Sequence, residues 1–184
     1  SSPIKGTSAT SEFLEKDHSE NLMIVDLIRN DLGQVCESGS VQVLDLLRIE
    51  QHPGLVHLVS DVEGTLPTTS GWQKIFSALT PPGSVSGAPK SSALEVIARL
   101  EPGSRGIYCG GFGWVDADNR TAELAVGIRT FWQGSSTGTK TLNFGTGAGI
   151  TWASDPTGEW DETELKASRL LAIAAMSSGD TLTS

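Results

Sequence analysis

The chain has 184 residues, of which 38% are hydrophobic and 19% charged, and its formal net charge is −9 at pH 7. This acidity argues against nucleic-acid binding, which requires a basic face to neutralise phosphates. No stretch of the sequence approaches the ~18 consecutive apolar residues of a membrane span, and residues 1–5 lack the basic and apolar segments that open a signal peptide.

The cysteine content also limits the class of protein. Cys36 and Cys109 have neither the number nor the spacing of a disulfide framework or a zinc site. A chain of this length has the size of one domain and can bury a substantial core. We therefore expect a cytoplasmic protein in which residues 1–184 belong to a single domain.

The first predicted element is a helix from Ser19 to Leu32. Ser19 can cap its N-terminus, and Gly33 can end it. One face of this helix begins with a carboxylate and is otherwise mostly apolar, with Glu20, Ile24, Leu27 and Asp31. An acidic group is therefore expected at the edge of a buried face.

The middle of the chain is predicted to contain one strand and two helices. Residues 55–62 alternate between two faces, as a half-buried strand does. A short amphipathic helix is predicted over residues 71–79. A second helix extends to Leu100, with Pro89 at its first position.

The next part of the chain is predicted to be rich in β-strands. Residues 107–115 and 121–132 indicate a hairpin across the turn at 116–119, and residues 139–144 form a third strand that enters a glycine turn at 145–149. Helices and antiparallel strands occur without regular βαβ repeats. This pattern predicts an α+β fold in which antiparallel β-sheets pack against flanking helices.

The C-terminal helix carries carboxylates on a face that should be buried. Helical spacing places five residues along one stripe: Glu159, Glu162, Lys166, Leu170 and Ile173. The far end of the stripe is apolar, so it should face the interior, where a carboxylate needs a cationic partner. Oxygen ligands with no histidine or cysteine cluster suit Mg²⁺ better than zinc. Alternatively, these acids and Glu20 are solvated residues in the first turns of their helices.

Lys5 is a candidate nucleophile. It lies between Pro3 and Gly6, which constrain the backbone on both sides, and a lysine held in this way can attack a substrate once it has lost its proton. The alternative is an exposed lysine near a chain end.

Several other residues allow both a functional and a purely structural interpretation. The amides of residues 147–149 could bind a carboxylate or form an ordinary turn, and the helix start after Pro89 could bind an anion, as any helix N-terminus can. Arg129 follows a run of alternating residues and is either a carboxylate clamp or a solvated strand-end arginine. His57 is more often a core histidine than a catalyst, and Tyr108 is most simply a packing residue.

Together these segments resemble the chorismate-utilising enzymes, and among them most of all component I of the aminodeoxychorismate synthases. The matching blocks follow the family's order from one end of the chain to the other. They are Pro3–Thr7, Glu20–Asp31, His57–Ser60, Gly83–Lys90, Ile128–Thr130, Gly147–Gly149 and Glu159–Lys166. Such a resemblance implies the chorismate-binding fold of antiparallel sheets and flanking helices.

The resemblance also implies roles for individual residues. The Mg²⁺ ligands that the resemblance implies are Glu20 and Glu162, with Glu159 beside them. The catalytic residues that it implies are Lys5 and His57. As substrate-binding residues it implies Gly6, Thr7, Ser84, Tyr108, Arg129, Gly147, Ala148, Gly149 and Lys166. A dicarboxylate entering an acidic protein would need such positive groups and oriented amides to offset the repulsion.

The implied reaction is the amination of chorismate at C4, which yields 4-amino-4-deoxychorismate for p-aminobenzoate and folate biosynthesis. Lys5 would attack C2 as the C4 hydroxyl leaves, and ammonia from a glutamine amidotransferase partner would then add at C4. Anthranilate synthase component I, which usually has Pro-Ile-Ala-Gly-Thr in place of the Lys5 block, is the nearest alternative. A non-catalytic fragment that only binds its ligand is the alternative from another class.

The sequence departs from the family pattern in two places. The family has a long segment before the Lys5 block, so the chain is expected to be the C-terminal portion of a catalytic domain. The segment from Thr7 to Glu20 is also shorter than usual, and Ser8 stands where the family has an arginine.

Overall fold

The computed structural model describes residues 1–8, 11–52, 55–136, 139–152 and 154–178, without the side chains of residues 7, 135, 136, 139, 177 and 178. The chain divides into two compact units, Ser1–Gly103 and Ser104–Ser184. Each unit combines helices with antiparallel strands. The predicted α+β class is confirmed.

The first unit is built on a three-stranded antiparallel sheet. Its elements in chain order are β1 (Ile4–Ser8), α1 (Glu15–Gly33), β2 (Gln42–His52), β3 (Leu55–Glu63), α2 (Trp72–Leu79), α3 (Gly83–Ser86) and α4 (Lys90–Leu100). The sheet order is β1-β3-β2, so β3 is the central strand. The predicted strand at 55–62 is confirmed as β3, whereas β2 was not predicted.

Helix α1 packs against this sheet through its apolar face. Val25 and Ile28 of the helix are buried against Val62 of β3, and Ile24, Leu32, Val41 and Val43 complete the cluster. The spacing of three and four residues between the helical members places them on one face. Burying each such side chain stabilises the fold by about 1.5–3 kcal/mol, so this cluster fixes the helix on the sheet.

The N-terminus of α1 differs from the prediction. The helix begins at Glu15, and Ser19 lies inside it with its hydroxyl donating to the carbonyl of Glu15 at 3.0 Å. The predicted cap at Ser19 is therefore wrong. Asp17 takes part in the helix start instead, because its carboxylate accepts the N–H of Leu14 at 2.9 Å.

The helices at 71–79 and 89–100 are confirmed within a residue or two. Residue 72 begins α2, whose Ile75 and Ala78 are buried with Val35 in a second small core. Pro89 is the N-cap of α4 rather than its first helical residue.

A buried ion pair joins α1 to the first residue of α4. Lys90 Nζ lies 2.8 Å from Asp31 Oδ1, and the side chains are only 19% and 5% exposed. The other carboxylate oxygen of Asp31 accepts the N–H of Gly83 at 2.8 Å, and Lys90 also donates to the carbonyl of Ala78 at 2.8 Å. These hydrogen bonds offset the cost of burying both charges and fix the start of α3.

A second charged network lies on the sheet. The guanidinium of Arg48 on β2 donates to Glu50 at 2.7 Å and to Asp61 of β3 at 3.1 Å. The hydrogen bonds from Arg48 and His52 hold the pKa of Glu50 below its usual value. Hydrogen bonds from the Ser2 hydroxyl and, to a smaller extent, from Arg48 lower the pKa of Asp61.

The second unit consists of two hairpins and a long helix. Its elements are β4 (Gly111–Asp116), β5 (Thr121–Val126), β6 (Phe131–Ser136), β7 (Thr139–Phe144) and α5 (Pro156–Ser178). The hairpin across residues 116–119 is confirmed as β4–β5, but its first strand begins at residue 111, because residues 107–110 form a turn. The third predicted strand pairs with β6 as a second hairpin.

The predicted continuous strand over residues 121–132 is wrong, because the chain bends at residues 127–129. The N–H of Gly127 donates to the carbonyl of Gly110 at 2.8 Å, and its carbonyl accepts from Cys109 at 3.0 Å. A Cβ at Gly127 would overlap the carbonyl of Ile107, so the close approach of the two segments requires glycine here.

None of the helices in the described residues is long and apolar enough to cross a membrane.

We predict that Asp31→Asn lowers the free energy of unfolding by about 3 kcal/mol, because it leaves the Lys90 ammonium without its counter-charge. Asp26→Asn is the control on the same helix, since the Asp26 carboxylate is 77% exposed and pairs with Arg29 at the surface. We expect that change to stay within about 0.5 kcal/mol. Urea unfolding of both variants is the measurement, and equal effects would contradict the importance of the buried pair.

We also predict an acid-sensitive contribution to stability from the Arg48 network. Because the pKa values of Glu50 and Asp61 are lowered by folding, their contribution is present above about pH 4, the unfolded pKa range, and is lost as the pH falls through the folded pKa values. The measurement is the urea midpoint between pH 6 and pH 3. Arg48→Met should make that pH dependence shallower, and an unchanged slope would refute the prediction.

Candidate functional site

Lys5 and Glu20 are in direct contact in the first unit. Lys5 lies in β1, and its Nζ is 2.8 Å from Glu20 Oε2 on α1. The Lys5 side chain is 38% exposed and that of Glu20 is 23% exposed. Lys16 approaches the other oxygen of Glu20 at 3.6 Å from the solvent side. The amine is therefore held against a carboxylate while it remains open to a ligand.

Gly6 follows Lys5 with a backbone conformation that favours glycine. Its φ is +103°, and a Cβ at this position would meet Leu58, Asp17 and Phe13 at 3.2–3.3 Å. The strand therefore turns closely over the beginning of α1. The side chain of Thr7 lies outside the described part of the chain, although its backbone pairs with that of His57.

His57 and Ser84 lie elsewhere in the same unit. His57 projects from β3, and its ring centroid is 5.2 Å from that of His52 in an edge-to-face arrangement. Ser84 is the second residue of α3 and is partly buried. Its position depends on the preceding Gly83, whose N–H is bound by Asp31.

In the second unit, Tyr108 packs against the glycine turn. A Cβ at Gly145 would overlap the ring of Tyr108, and a Cβ at Gly147 would lie 2.7 Å from its hydroxyl oxygen. Real Cβ atoms do not approach other atoms so closely, so a side chain at Gly145 would displace the ring and one at Gly147 would displace the Tyr108 hydroxyl. The lack of a side chain at these two glycines lets the aromatic ring lie directly on the backbone.

Lys166 joins the same turn to helix α5. Its Nζ donates to the carbonyl of Gly147 at 3.2 Å and lies 2.7 Å from Glu162 Oε1. Thr146 adds a longer hydrogen bond to the carbonyl of Thr163 at 3.4 Å. The turn is therefore fixed along one side of the helix.

Arg129 completes this group. Its φ is +53°, in the left-handed region that a non-glycine residue rarely adopts, and its Nη1 donates to the carbonyl of Lys166 at 3.3 Å. The side chain is exposed. The structure thus brings four predicted substrate-binding features together in one unit: Tyr108, Arg129, Lys166 and the turn at 145–149.

The two C-terminal glutamates differ in their partners. Glu159 Oε1 accepts the hydroxyl of Ser154 at 2.6 Å, whereas Oε2 is buried and has no hydrogen-bond partner in the described residues. A buried carboxylate oxygen without a partner is costly and suits a bound cation. One carboxylate oxygen of Glu162 forms an ion pair with Lys166.

The C-terminal stripe is only partly buried. Glu159, Glu162, Lys166 and Leu170 are partly buried, but Ile173 is 56% exposed. The expectation that the stripe faces the interior throughout is therefore wrong at its far end. Among the described residues, no three histidine, cysteine, aspartate or glutamate side chains are placed so that they could hold a metal ion together. Glu20 belongs to one unit and Glu159 and Glu162 to the other, and their sharing of one metal stays a prediction.

The sequence analysis missed Asn21 and Ser60, two completely buried polar residues that are hydrogen-bonded to each other, with Asn21 also bonded to the backbone of Lys5. Asn21 precedes Val25 and Ile28 at helical spacing, so it occupies a position where an apolar residue would be expected. A polar residue in a buried stripe was the signal that could have found it.

Comparison with known proteins places these features in a family. Residues 1–172 match the family model described as chorismate binding enzyme. The chain is 44% identical over 152 residues to anthranilate synthase component 1 of Saccharolobus solfataricus, covering 83% of the chain and 35% of that protein. It is 41% identical to the aminodeoxychorismate synthase of Streptomyces pristinaespiralis, covering 94% of the chain and 25% of that protein. The chain spans about a third of the length of most of these relatives.

Solved structures agree with this result. The crystal structure of anthranilate synthase component I from Streptococcus pneumoniae matches with a TM-score of 0.70 and 35% identity, over 85% of this chain and 35% of that one. A 2,3-dihydroxybenzoate-specific isochorismate synthase from Bacillus anthracis matches with a TM-score of 0.72 and 26% identity, over 94% and 48% of the two chains. The match over nearly the whole sequence and the shared fold show that the chain belongs to the chorismate-binding enzyme family.

Proposed function

We propose that the protein takes part in the amination of chorismate at C4 to give 4-amino-4-deoxychorismate, the precursor of p-aminobenzoate in folate biosynthesis. Relatives named as anthranilate synthases and as aminodeoxychorismate synthases have similar identities, so overall similarity does not distinguish the two reactions. The observation that carries the proposal is Lys5, an amine on a constrained strand in contact with Glu20.

The second unit supplies the groups that suit a dicarboxylate. The Arg129 guanidinium donates to the carbonyl of Lys166, and the Lys166 amine donates to the carbonyl of Gly147. Two cations therefore adjoin a turn in which three of five residues are glycine. In a chain with a net charge of −9, these local groups would have to offset the repulsion of an anionic substrate. The Tyr108 hydroxyl beside Gly147 adds a further hydrogen-bonding group to the same place.

Lys5 would act as a covalent nucleophile. Its amine nitrogen forms a bond to C2 of chorismate, the two ring double bonds shift, and the C4–O bond breaks. The amine loses one proton and the departing hydroxide gains one, so water is released. Ammonia then bonds to C4, the double bonds return, and the C2–N bond breaks with transfer of a proton back to Lys5. The two steps replace hydroxyl by amino at C4 and regenerate the lysine.

Glu20, Glu159 and Glu162 are the residues that would hold Mg²⁺. Their oxygen donors suit this ion, and the buried Oε2 of Glu159 has no hydrogen-bond partner among the described residues that would compete with a cation. When bound, Mg²⁺ would supply Lewis-acid stabilisation of negative charge on the substrate. The ammonia would come from a glutamine amidotransferase partner, as the family resemblance implies.

The competing reaction, anthranilate synthesis, differs in its product. Anthranilate fluoresces and has lost the pyruvyl enol ether, whereas 4-amino-4-deoxychorismate retains it. The third hypothesis, a binding module without activity, would give chorismate binding and no product.

We predict that the protein, supplied with chorismate, ammonium and Mg²⁺, forms the C4-aminated product, and that Lys5→Ala lowers this rate by at least about 100-fold. Lys74→Ala is the control, because Lys74 is an exposed lysine on a different element, α2. Product analysis by mass spectrometry and fluorescence is the measurement. Unchanged C4 amination by Lys5→Ala would refute the lysine mechanism, and anthranilate as product would favour the alternative.

We also predict that Glu159→Gln weakens Mg²⁺ binding by at least about 10-fold, because a neutral amide replaces the buried carboxylate oxygen. Glu164→Gln, an exposed acid on the same helix, should leave the affinity unchanged. Titration calorimetry with MgCl₂, with and without chorismate, gives both values. Equal affinities in the two variants would remove Glu159 from the metal site.

A further inference from the structure

We propose that Asn21 is a positioning residue that sets the backbone of Lys5, and with it the direction from which the Lys5 amine reaches a substrate. The inference rests on the proposed function only in taking Lys5 as the reacting group. It concerns one hydrogen-bond network within the first unit, between α1, β1 and the central strand β3.

The amide of Asn21 binds two backbone carbonyls from different strands. Asn21 is fully buried, and its Nδ2 donates to the carbonyl of Lys5 at 3.2 Å and to that of Leu58 at 3.0 Å. Both amide hydrogens are therefore used, one for β1 and one for β3. A buried polar side chain with this pattern joins the helix to the two strands at one point.

The amide oxygen of Asn21 also has a hydrogen-bond partner. The hydroxyl of Ser60, which is fully buried, donates to Asn21 Oδ1 at 2.7 Å. The same hydroxyl oxygen accepts the N–H of Leu47 at 3.0 Å, where β2 is irregular and Leu47 has a φ of +58°. The Ser60 hydroxyl has one hydrogen and gives it to Asn21, which identifies the acceptor end of the amide as Oδ1, while the two Nδ2 bonds to backbone carbonyls hold the amide in place.

Lys5 depends on this contact because regular strand pairing does not hold it. The β1–β3 register is regular at Ile4 and again at Thr7, and it shifts between them, where Lys5 and Gly6 lie. At the irregularity the carbonyl of Lys5 bonds to the Asn21 side chain. The backbone of the proposed nucleophile is thus positioned by a side chain.

Asn21 also adjoins Glu20, the residue that contacts the Lys5 amine. Glu20 and Asn21 are consecutive on α1, so one bonds the side chain of Lys5 and the next bonds its backbone. A shift of β1 relative to α1 would have to break both contacts. Since a displacement of about 1 Å at a reacting group can cost on the order of 100-fold in rate, this double attachment matters for chemistry as well as for folding.

The test compares Asn21→Ala with Ser60→Ala. Both remove hydrogen bonds from the same buried network, and only the first removes the contact with Lys5. We expect Asn21→Ala to lower kcat by about 10–100-fold with KM changed less than about 3-fold. Ser60→Ala should change kcat by less than about 3-fold. If both variants lose kcat equally, or in proportion to their loss of stability, the positioning role is overturned.

A second readout needs neither substrate nor turnover. A short pulse of an amine-acetylating reagent, followed by mass spectrometry, gives the labelling rate of Lys5 relative to the exposed Lys74. We expect the ratio to change by at least about 3-fold in Asn21→Ala, because β1 is no longer fixed at Lys5, and to stay unchanged in Ser60→Ala. An unchanged ratio in Asn21→Ala would overturn the inference.

The two readouts also separate this inference from the proposed function. If the wild-type protein forms no C4-aminated product but the labelling ratio still changes, the proposed function fails and the positioning of Lys5 stands. If Asn21→Ala does not fold, Asn21→Ser replaces it, since the shorter hydroxyl cannot donate to both carbonyls. The same two outcomes then decide.

Discussion

The docking of α1 on the three-stranded sheet is the interaction on which the rest of the first unit depends. Its apolar part, Val25 and Ile28 against Val62, supplies the burial that holds the helix in place. Its polar part is a satisfied network in which Asn21 and Ser60 find every partner within the interface. Apolar burial tolerates small rotations and sliding, but a buried amide with three partners does not. The combination therefore fixes the register of the helix, and Lys5 and Glu20 meet as a result.

The fold could be predicted where the sequence has a regular period or a strong terminator, and not where the backbone is irregular. The central strand and the hairpin at 116–119 were recovered because alternation and turn residues agree. Strand β2 was missed because two register shifts between Val43 and Arg48 break its alternation. The start of α1 was misplaced because the Asp17 contact at Leu14 was not recognised, and Ser19 resembled a cap when it was an interior residue.

The candidate site was predictable in its residues more than in its geometry. Family resemblance named the glycine turn, Tyr108, Lys166 and Arg129, which the structure gathers in the second unit. No sequence period could show that Tyr108 lies directly on the turn, since this follows from tertiary packing. Asn21 was missed because helical patterns lead one to expect asparagine on the solvent-facing side. Its role in the structure depends on hydrogen-bond partners 16 and 37 residues away in the sequence.

The bend at residues 127–129 has a further consequence. Arg129 adopts its left-handed backbone between two hairpins, so the cost of that conformation is met during folding and not when an anion arrives. Ordering one residue's backbone costs about 1–2 kcal/mol, and a guanidinium on an already ordered backbone avoids that loss on encounter. In the proposed function, this ordered backbone would let Arg129 bind a carboxylate with a smaller loss of conformational entropy.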